Sequence, residues 1–397
     1  MTQLTIGFIP LLDCASLVAA SERGFAAEEG LELTLVQETS WANIRDRLIV
    51  GHFDAAHMLG PMTIASTLGI GHLSVPMIAP CSLGLGGNAI AVSLPLWKQM
   101  TREGAEPGGH PTVQGMALRR VVAARRRTEL RPLTFGMIHP FSCHNYELRY
   151  WLAASAVNPD HDVRLVVIPP PLLGDALRGG YIDGFCVGEP WSSVAVDSEL
   201  AAIVMPTTAI WPFSPEKVLG CRADWAERHR PALEALIRAL HRAALWCERP
   251  ENHGELAALL AEPRHVGSSA SLLLRGLSGR LMLTPDGEMG AHGSFFLPAS
   301  RWSTFPWTSH ALWYYTQMVR WHQIELVAEH PAVAVRTYRP DIYRAALAPL
   351  GIELPGENDR VELFFDNQIF DPSDLVSWLC ASGPQTHAGF GSGWIAA

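Results

Sequence analysis

The sequence predicts a protein of the α/β class with a mainly parallel sheet. Strand-like and helix-like segments alternate along the chain, starting with the apolar "LTIGFIP", the helical "SLVAASERGFAAEEG" and the alternating "LELTLVQ". No fixed-period repeat is present, which argues against a solenoid. The chain has 397 residues, of which 48% are hydrophobic and 17% charged. This composition is typical of a globular protein with a large core divided into two or three lobes.

Each element follows from its hydrophobic period and from the residues that bound it. In the first helical segment, Gly24 and Gly30 are expected breaks. The further predicted strands are "FDAAHML", "NAIAVS", "LTFGMI", "VRLVVIP" and "IDGFCV". The further predicted helices are "WANIRDRLIVG", "MTIASTLGI", "NYELRYWLAASAV" and "LLGDALRGG".

One basic segment, residues 97–130, interrupts this alternation. Its Gly/Pro cluster at 104–111 predicts a surface loop. A helical stretch follows, and it contains Arg119, Arg120, Arg125, Arg126 and Arg127. Such a run indicates either a solvated helix face or a local docking patch, and the sequence leaves both open.

Charge and cysteine usage exclude some functional classes. A net charge of −9 and a pI near 6.0 argue against a broad surface for nucleic acid or anionic membrane. No stretch of about 18 apolar residues predicts a membrane span. Seven scattered cysteines without a C-x-x-C pair indicate reduced thiols. The N-terminus reads as a first strand rather than a signal peptide, so we expect a cytoplasmic protein without a membrane span.

Several polar or unusual residues stand at predicted strand ends, where open α/β sheets bind ligands. The stretch "IDGFCVGEPWSS" is the clearest case, because a buried-looking strand runs directly into a glycine and a glutamate. The candidate ligand-binding residues are Trp41, Asn88, His144, Gly188, Glu189 and Lys217. One ammonium, directed N–H donors and a helix N-terminus would suit a small anion.

Long motifs carry a family resemblance. Seven stretches resemble the nitrate/bicarbonate-binding family that serves ABC transporters, the NrtA/CmpA group: residues 4–48, "FDAAHMLGPM", "HNYELRYWLAASAVNPDHDVRLVVIPPP", "DGFCVGEPWSS", "PEKVLGCRADW", "SHALWYYTQMVRW" and "FDPSDLVSWL". The resemblance implies a type II periplasmic-binding-protein-like fold, with two α/β lobes around a ligand cleft. It places lobe 1 at residues 1–87 and 208–397, including a C-terminal helical part. Lobe 2 is then 88–207, with a basic insert at about 97–130.

The resemblance also assigns roles to the candidate residues. Trp41, His144, Gly188 and Lys217 match pocket positions of the family, whereas Asn88 stands where the transport proteins have Gln. Glu189 is expected to hold Lys217 or a protonated His144 in place. His57, by contrast, reads as a hydrogen-bonded core histidine and is left out of the site.

The ligand expected from this set is nitrate or nitrite, with no cofactor and no metal. Bicarbonate needs an extra acceptor for its O–H, and the bicarbonate branch of the family resembles a calcium site, which Lys217 opposes. Because the sequence begins at the first strand, it resembles most the cytosolic NasS-like sensors of the family, and the resemblance implies a sensor function. Such a sensor holds a NasT-like RNA-binding antitermination regulator when ligand-free, releases it on anion binding, and touches no nucleic acid itself.

Two alternatives stay open. One is the substrate-binding component of a nitrate/bicarbonate ABC transporter. The other is an enzyme similar to thiamine-pyrimidine synthases, which share the fold but carry a cysteine-rich "CCCFC" pattern that is absent here. No nucleophile, base and orienting group stand in a convincing arrangement, so no catalytic residue is assigned and no enzyme is expected.

Overall fold

The computed structural model describes residues 1–71 and 74–382. Its strands are β1 Thr2–Phe8, β2 Leu31–Gln37, β3 Ala55–Leu59, β4 Met77–Ser82, β5 Leu85–Gly86, β6 Asn88–Ser93, β7 Leu133–Met137, β8 Val163–Val167, β9 Gly184–Gly188, β10 Ala201–Pro206, β11 Lys217–Arg222, β12 Arg280–Met282, β13 Met289–Ala291, β14 Phe296–Leu297, β15 Glu362–Leu363 and β16 Ile369–Phe370.

The helices connect the strands of the two main sheets and form most of the C-terminal part. They are α1 Ala15–Glu22, α2 Phe25–Glu28, α3 Trp41–Ile49, α4 Gly60–Thr67, α5 Leu94–Arg102, α6 Pro111–Arg127, α7 Cys143–Ala154, α8 Leu173–Arg178, α9 Trp191–Asp197, α10 Ala223–Arg228, α11 Arg230–Cys247, α12 His253–Ala261, α13 Ala270–Ser278, α14 Thr308–Arg320, α15 His330–Thr337, α16 Pro340–Leu347 and α17 Leu375–Ser382. No described helix is long and apolar enough to cross a membrane.

Two five-stranded sheets form the centre of the fold. The first sheet has the order β2-β1-β3-β11-β4, and the second has the order β10-β6-β9-β7-β8. Strands β1, β2 and β3 run parallel in the first sheet, as do β7, β8 and β9 in the second. The α/β class is therefore confirmed, and each strand predicted by its period is present.

The expectation of mainly parallel sheets is wrong in one respect. Strand β11 runs antiparallel to β3 and β4, and β6 runs antiparallel to β9 and β10. Both strands are the first of their sheet that the chain enters after it crosses from the other sheet. Each one therefore starts beside the carboxyl ends of the strands that flank it. Lys217 pairs with Leu59, the last residue of β3, and Asn88 pairs with Gly188, the last residue of β9.

The chain passes between the sheets twice, once between β4 and β6 and once between β10 and β11. The boundaries expected from the sequence, 87/88 and 207/208, fall in these two crossovers. The division of the chain into two lobes remains a prediction. The basic segment at about 97–130 contains the end of α5 and the whole of α6.

Gly86 lies in the first crossover at a position that requires glycine. Its φ is +72°, and a Cβ added there would lie 2.2 Å from the main-chain oxygen of Phe295. Residue 86 also pairs with Phe296 of β14, so the backbone cannot move away without breaking this contact. The crossover is therefore held by backbone contacts that leave no room for a side chain.

We expect Gly86→Ala to lower the free energy of unfolding by about 2–4 kcal/mol, because the change adds both a strained φ and a steric clash. Urea denaturation measures this. The matched control is Gly254→Ala in α12, where nothing lies within 4 Å of the added Cβ. The control should be neutral or slightly stabilising, by at most about 1 kcal/mol. Equal stability of the two variants would contradict the packing described for the crossover.

Candidate functional site

The candidate site is built around Lys217, the first residue of β11. It is one of only two lysines in the chain, and its side chain is 0% exposed. Its ammonium donates to Asp13 Oδ2 at 2.5 Å and to Glu216 Oε2 at 2.6 Å. Burial by itself would lower the pKa of Lys217, but the attraction of Asp13 and Glu216 outweighs it and raises that pKa above its ordinary value. Lys217 therefore stays charged.

Asp13 lies in a short 3-10 turn, Leu12–Cys14, that follows β1. Besides Lys217, its carboxylate contacts His57 Nε2 at 2.9 Å. Burial opposes ionisation, yet the charge of Lys217 and the hydrogen bonds from Lys217 and His57 hold the pKa of Asp13 below its usual range. Asp13 is therefore the permanent counter-ion of Lys217.

His57, set aside as a core histidine, is indeed buried within β3 and hydrogen-bonded. Its Nδ1 accepts from the Ile9 N–H at 3.4 Å, which leaves Nε2 to carry the proton toward Asp13. Burial is the main cause that lowers the pKa of His57, so the ring is neutral. The sequence did not indicate that the partner of this core histidine is the acid that holds Lys217.

Glu216 connects Lys217 to the second sheet. Its Oε2 accepts from Cys143 Sγ at 2.9 Å, and its Oε1 accepts from Asn88 Nδ2. Asn88 begins β6 of the second sheet, and Cys143 begins α7, the helix that follows β7 of the same sheet. Both therefore reach one carboxylate that precedes β11. Burial raises the pKa of Glu216 to about 7, with Lys217 limiting the rise.

A second acid, Glu147, lies one helical turn beyond Cys143 and is also buried. Asn88 Nδ2 lies 3.5 Å from Glu147 Oε2. Burial and the nearby charge of Glu216 raise the pKa of Glu147 well above its ordinary value. Glu147 therefore stays protonated, and the ionic charges of the cluster are those of Asp13, Glu216 and Lys217.

Trp41 forms the aromatic wall of this cluster. It begins α3 after the cap Ser40, whose side chain accepts from the Asn43 N–H. The Lys217 ammonium lies 5.9 Å from the Trp41 ring centroid, a cation–π distance, and the His57 ring lies 5.4 Å away. Trp41 Nε1 is buried and has no hydrogen-bond partner among the described residues.

His144 lies in the first turn of α7, behind the capping side chain of Ser142. Its Nδ1 is 3.3 Å from Cys143 Sγ, and its buried Nε2 has no partner in the described part of the chain. Burial, followed by the charge of Lys217, lowers the pKa of His144 well below its usual value. The expectation of a protonated His144 is therefore wrong, because a second cation is unfavourable beside a buried ammonium.

Gly188 and Glu189 end β9 next to the cluster, but their roles differ. A Cβ added at Gly188 would lie 3.2 Å from Asn88 Oδ1, so glycine leaves room for that amide. Glu189 does not hold Lys217 or His144. Its carboxylate accepts from the Ser193 N–H at 3.3 Å, from a position just before α9, and Pro190 and Trp191 start that helix as expected. Its main-chain oxygen accepts from the Leu12 N–H at 2.7 Å.

Three residues have donor atoms within 4.8 Å of one another, close enough to hold a metal ion: Cys143, His144 and Glu216. Two features oppose a cation there. Burial and the neighbouring Glu216 raise the thiol pKa of Cys143 well above its usual value, so the sulfur stays protonated. The Lys217 ammonium also lies 2.6 Å from the same carboxylate. We assign no metal to this group.

Comparison with known proteins identifies the family. A family model described as the NMT1-like family matches residues 1–261. The chain belongs to the NMT1-like family. The nitrate/nitrite binding protein NrtA of Synechococcus elongatus is 33% identical over 390 residues, covering 95% of this chain and 85% of NrtA. The nitrate import ATP-binding protein NrtC of Synechocystis sp. is 36% identical over 95% of this chain, which spans only 54% of NrtC.

The solved structures agree with the family assignment. The crystal structure of the periplasmic nitrate-binding protein NrtA from Synechocystis PCC 6803 has a TM-score of 0.89 and 26% identity, covering 96% of this NMT1-like chain and 98% of that chain. A ligand-binding component of an ABC-type import system from Staphylococcus aureus has a TM-score of 0.65 at 15% identity and shows the fold alone. The resemblance to the NrtA/CmpA group and the periplasmic-binding-protein-like fold are confirmed.

Sequence reasoning missed the acids that hold Lys217. Asp13 follows the apolar run "FIPLL", and a lone acid in such a setting is itself a signal of a buried ion pair. Glu216 directly precedes Lys217, so strand alternation would place the two side chains on opposite faces. Glu216 lies just outside β11, which frees its side chain to turn back to Lys217.

We expect Lys217→Met to lower the free energy of unfolding by about 3–5 kcal/mol, because it leaves buried carboxylates without their counter-ion. Denaturant unfolding at pH 7.5 measures this. Lys98, the other lysine, is exposed on α5, and Lys98→Met should change stability by less than about 0.5 kcal/mol. If the two variants have the same stability, the account of Lys217 as the charged centre is wrong.

Proposed function

We propose that the chain binds a small, planar, singly charged anion, nitrate or nitrite, at Lys217. The observation that carries this proposal is the permanently charged, buried ammonium of Lys217 beside two buried rings, Trp41 and His144. Each ring has one nitrogen without a hydrogen-bond partner among the described residues. The homology to NrtA, which is named as a nitrate/nitrite binding protein, supports the same ligand class. Binding, rather than catalysis, is the proposed activity.

The donors suit such an anion in number and in kind. Lys217 supplies the charge, and Trp41 supplies one N–H and a flat face. Neutral His144 supplies one further N–H in the tautomer that carries its proton on Nε2. Asn88 is tied to Glu216 and is close to Gly188, so it borders the same space. We include Trp41, Asn88, His144, Gly188 and Lys217 in the proposed site, whereas Glu189 acts through its backbone contact with Leu12.

Bicarbonate is the second candidate, for a specific reason. Its O–H needs an acceptor, and the cluster contains the Glu216 carboxylate. The bicarbonate-binding protein CmpA of Synechococcus elongatus is 29% identical over 394 residues, so homology also permits this ligand. Nitrate and nitrite remain preferred because no O–H has to be accommodated beside a carboxylate that already accepts three hydrogen bonds.

We expect nitrate or nitrite to raise the unfolding temperature of the purified chain. A ligand that binds only the folded form stabilises it by about 2.7 kcal/mol at 100 times its dissociation constant. Thermal unfolding with nitrate, nitrite, chloride and bicarbonate, the last with and without calcium, measures the selectivity. A rise only with bicarbonate and calcium, or no rise with any of these anions, would contradict the proposed ligand.

We further propose that the anion controls a partner, as in a cytosolic NasS-like sensor that holds a NasT-like antitermination regulator when ligand-free. The physical basis is that the Lys217 cluster joins elements of both sheets, so an anion that rearranges the cluster changes how the sheets meet. If the partner prefers the ligand-free form, the anion weakens partner binding by a certain factor. The partner then lowers the affinity for the anion by the same factor. Transport remains the alternative, because the homology to NrtA and CmpA supports a transport role as well as it supports a sensor role.

The basic face of α6 is the proposed partner surface. It presents an exposed, mixed apolar and cationic stripe on an otherwise acidic protein: Val113, Met116, Arg119, Arg120, Arg126 and Arg127. Arg126 has a distant contact with Asp162 at 3.7 Å, and Arg120 donates to the Glu103 main-chain oxygen. A surface cavity of about 280 Å³ lies beside it, between α6 and His161.

Co-purification with the regulator, with and without nitrate, tests this assignment. We expect the complex to form without nitrate and to dissociate with it. The variant Arg119→Ala/Arg120→Ala/Arg127→Ala should lose the complex while it keeps the thermal shift with nitrate. A complex unaffected by these changes would leave α6 as a solvated face. If no complex with the regulator forms either with or without an anion, the result would favour the transport alternative.

A further inference from the structure

The Glu216 carboxylate is surrounded by hydrogen-bond donors that come from both sheets. Lys217 Nζ lies 2.6 Å from Oε2, Cys143 Sγ lies 2.9 Å from the same oxygen, and Asn88 Nδ2 donates to Oε1. All four residues are buried. One carboxylate therefore receives the ammonium and the amide that belong to the proposed anion site.

A carboxylate and a nitrate ion present the same chemistry to such donors. Both are planar, carry one negative charge and accept hydrogen bonds in the plane through sp² oxygens. The contacts of Glu216 are thus those that a bound planar anion would make. When a free anion approaches Lys217, the donors that it would use are already occupied by the Glu216 carboxylate.

We infer that Glu216 is an internal competitor of the ligand and a specificity-determining residue of the site: its carboxylate holds Lys217, Asn88 and Cys143 until a planar monovalent anion displaces it. This inference rests on the proposed function and deepens it. Anion affinity is then set by a difference between two interaction free energies, that of the anion and that of the Glu216 carboxylate with the same donors.

The charge balance explains why displacement needs a proton. Lys217 carries the one ammonium of the cluster, and Asp13 already neutralises it. An entering anion beside an ionised Glu216 would leave three negative charges around one positive charge in a buried site, which is strongly unfavourable. Protonation of Glu216 leaves one excess negative charge, the same as in the ligand-free cluster. A divalent anion such as sulfate would add a second excess charge and is therefore excluded.

The groups that face Glu216 define the pH range. They are Lys217 at the start of β11, Asp13 in the turn after β1, Cys143, His144 and Glu147 on α7, Cys186 on β9, and Tyr314 on α14. Burial raises the pKa of Glu147, Cys143, Cys186 and Tyr314 well above their ordinary values, so all four stay protonated. Glu216, with a pKa of about 7, is the acid of this group that titrates near neutral pH.

Anion affinity depends on pH through the protonation of Glu216. Below pH 7, Glu216 is protonated and the anion binds without proton uptake. Above pH 7, binding takes up one proton, so anion affinity falls by about tenfold for each pH unit. His57 and His144 do not add to this slope, because burial lowers the pKa of both rings and they are already neutral.

The test uses Glu216→Gln, with Glu147→Gln as the matched control. Glu147 lies in the same cluster and carries no charge, so its amide variant changes the shape of the cluster as little as Glu216→Gln but leaves the titrating acid in place. Glu189, whose pKa burial also raises to about 7, is tested by Glu189→Gln because it titrates in the same range. Nitrate affinity is measured by calorimetry from pH 6 to 8.5.

We expect the affinity of Glu216→Gln to be at least about tenfold above that of the parent chain at pH 8 and nearly independent of pH. Glu147→Gln and Glu189→Gln should keep the parent slope. Calorimetry of the parent in buffers of different ionisation enthalpy should show uptake of close to one proton at pH 8, and this measurement needs no variant to fold. A parent chain that binds nitrate without proton uptake, or a Glu216→Gln chain that keeps the parent slope, would overturn the inference. A parent chain that binds neither nitrate nor nitrite at any pH would refute the proposed function itself.

Discussion

The buried ammonium of Lys217 is the constraint on which the rest of the site depends. A charge removed from water is tolerated only when it is paired and hydrogen-bonded. Asp13 and Glu216 meet that requirement, and each is fixed in turn by a further contact, to His57 and to Asn88 and Cys143. The network therefore extends from the turn after β1, through the start of β11, to β6 and α7 of the second sheet. The hydrogen bonds from Asn88 and Cys143 to Glu216 connect the paired charge of Lys217 to this second part of the fold.

The topology explains why these residues meet. A parallel sheet delivers its loops to the edge formed by the carboxyl ends of its strands. In each sheet the first strand after a crossover enters in the opposite direction, so its first residue reaches that same edge. Lys217 and Asn88 are these first residues. An antiparallel insertion is thus the feature that places side chains from both sheets within hydrogen-bonding distance of Glu216.

Much of this was accessible from the sequence, and the remainder was not for identifiable reasons. The periods of the strands, the resemblance of "DGFCVGEPWSS" and "PEKVLGC", and the strand-end positions of Trp41 and Lys217 predicted the fold and several members of the cluster. The acid partners of Lys217 lie at two very different distances along the sequence. Asp13 is 204 positions away from Lys217, and Glu216 is directly adjacent to it. Neither spacing has a periodic signature. Protonation was also inaccessible, because the neutral state of His144 follows from complete burial beside an ammonium.

The central claim is that Lys217 and its neighbours form an anion site that the chain itself occupies through Glu216. A crystal structure of the chain grown with nitrate at pH 6 tests this most directly. The account predicts a nitrate ion within hydrogen-bonding distance of Lys217 Nζ, against Trp41, with the Glu216 carboxylate turned away from the ammonium. A nitrate bound elsewhere, with the contact between Lys217 and Glu216 unchanged, would contradict it.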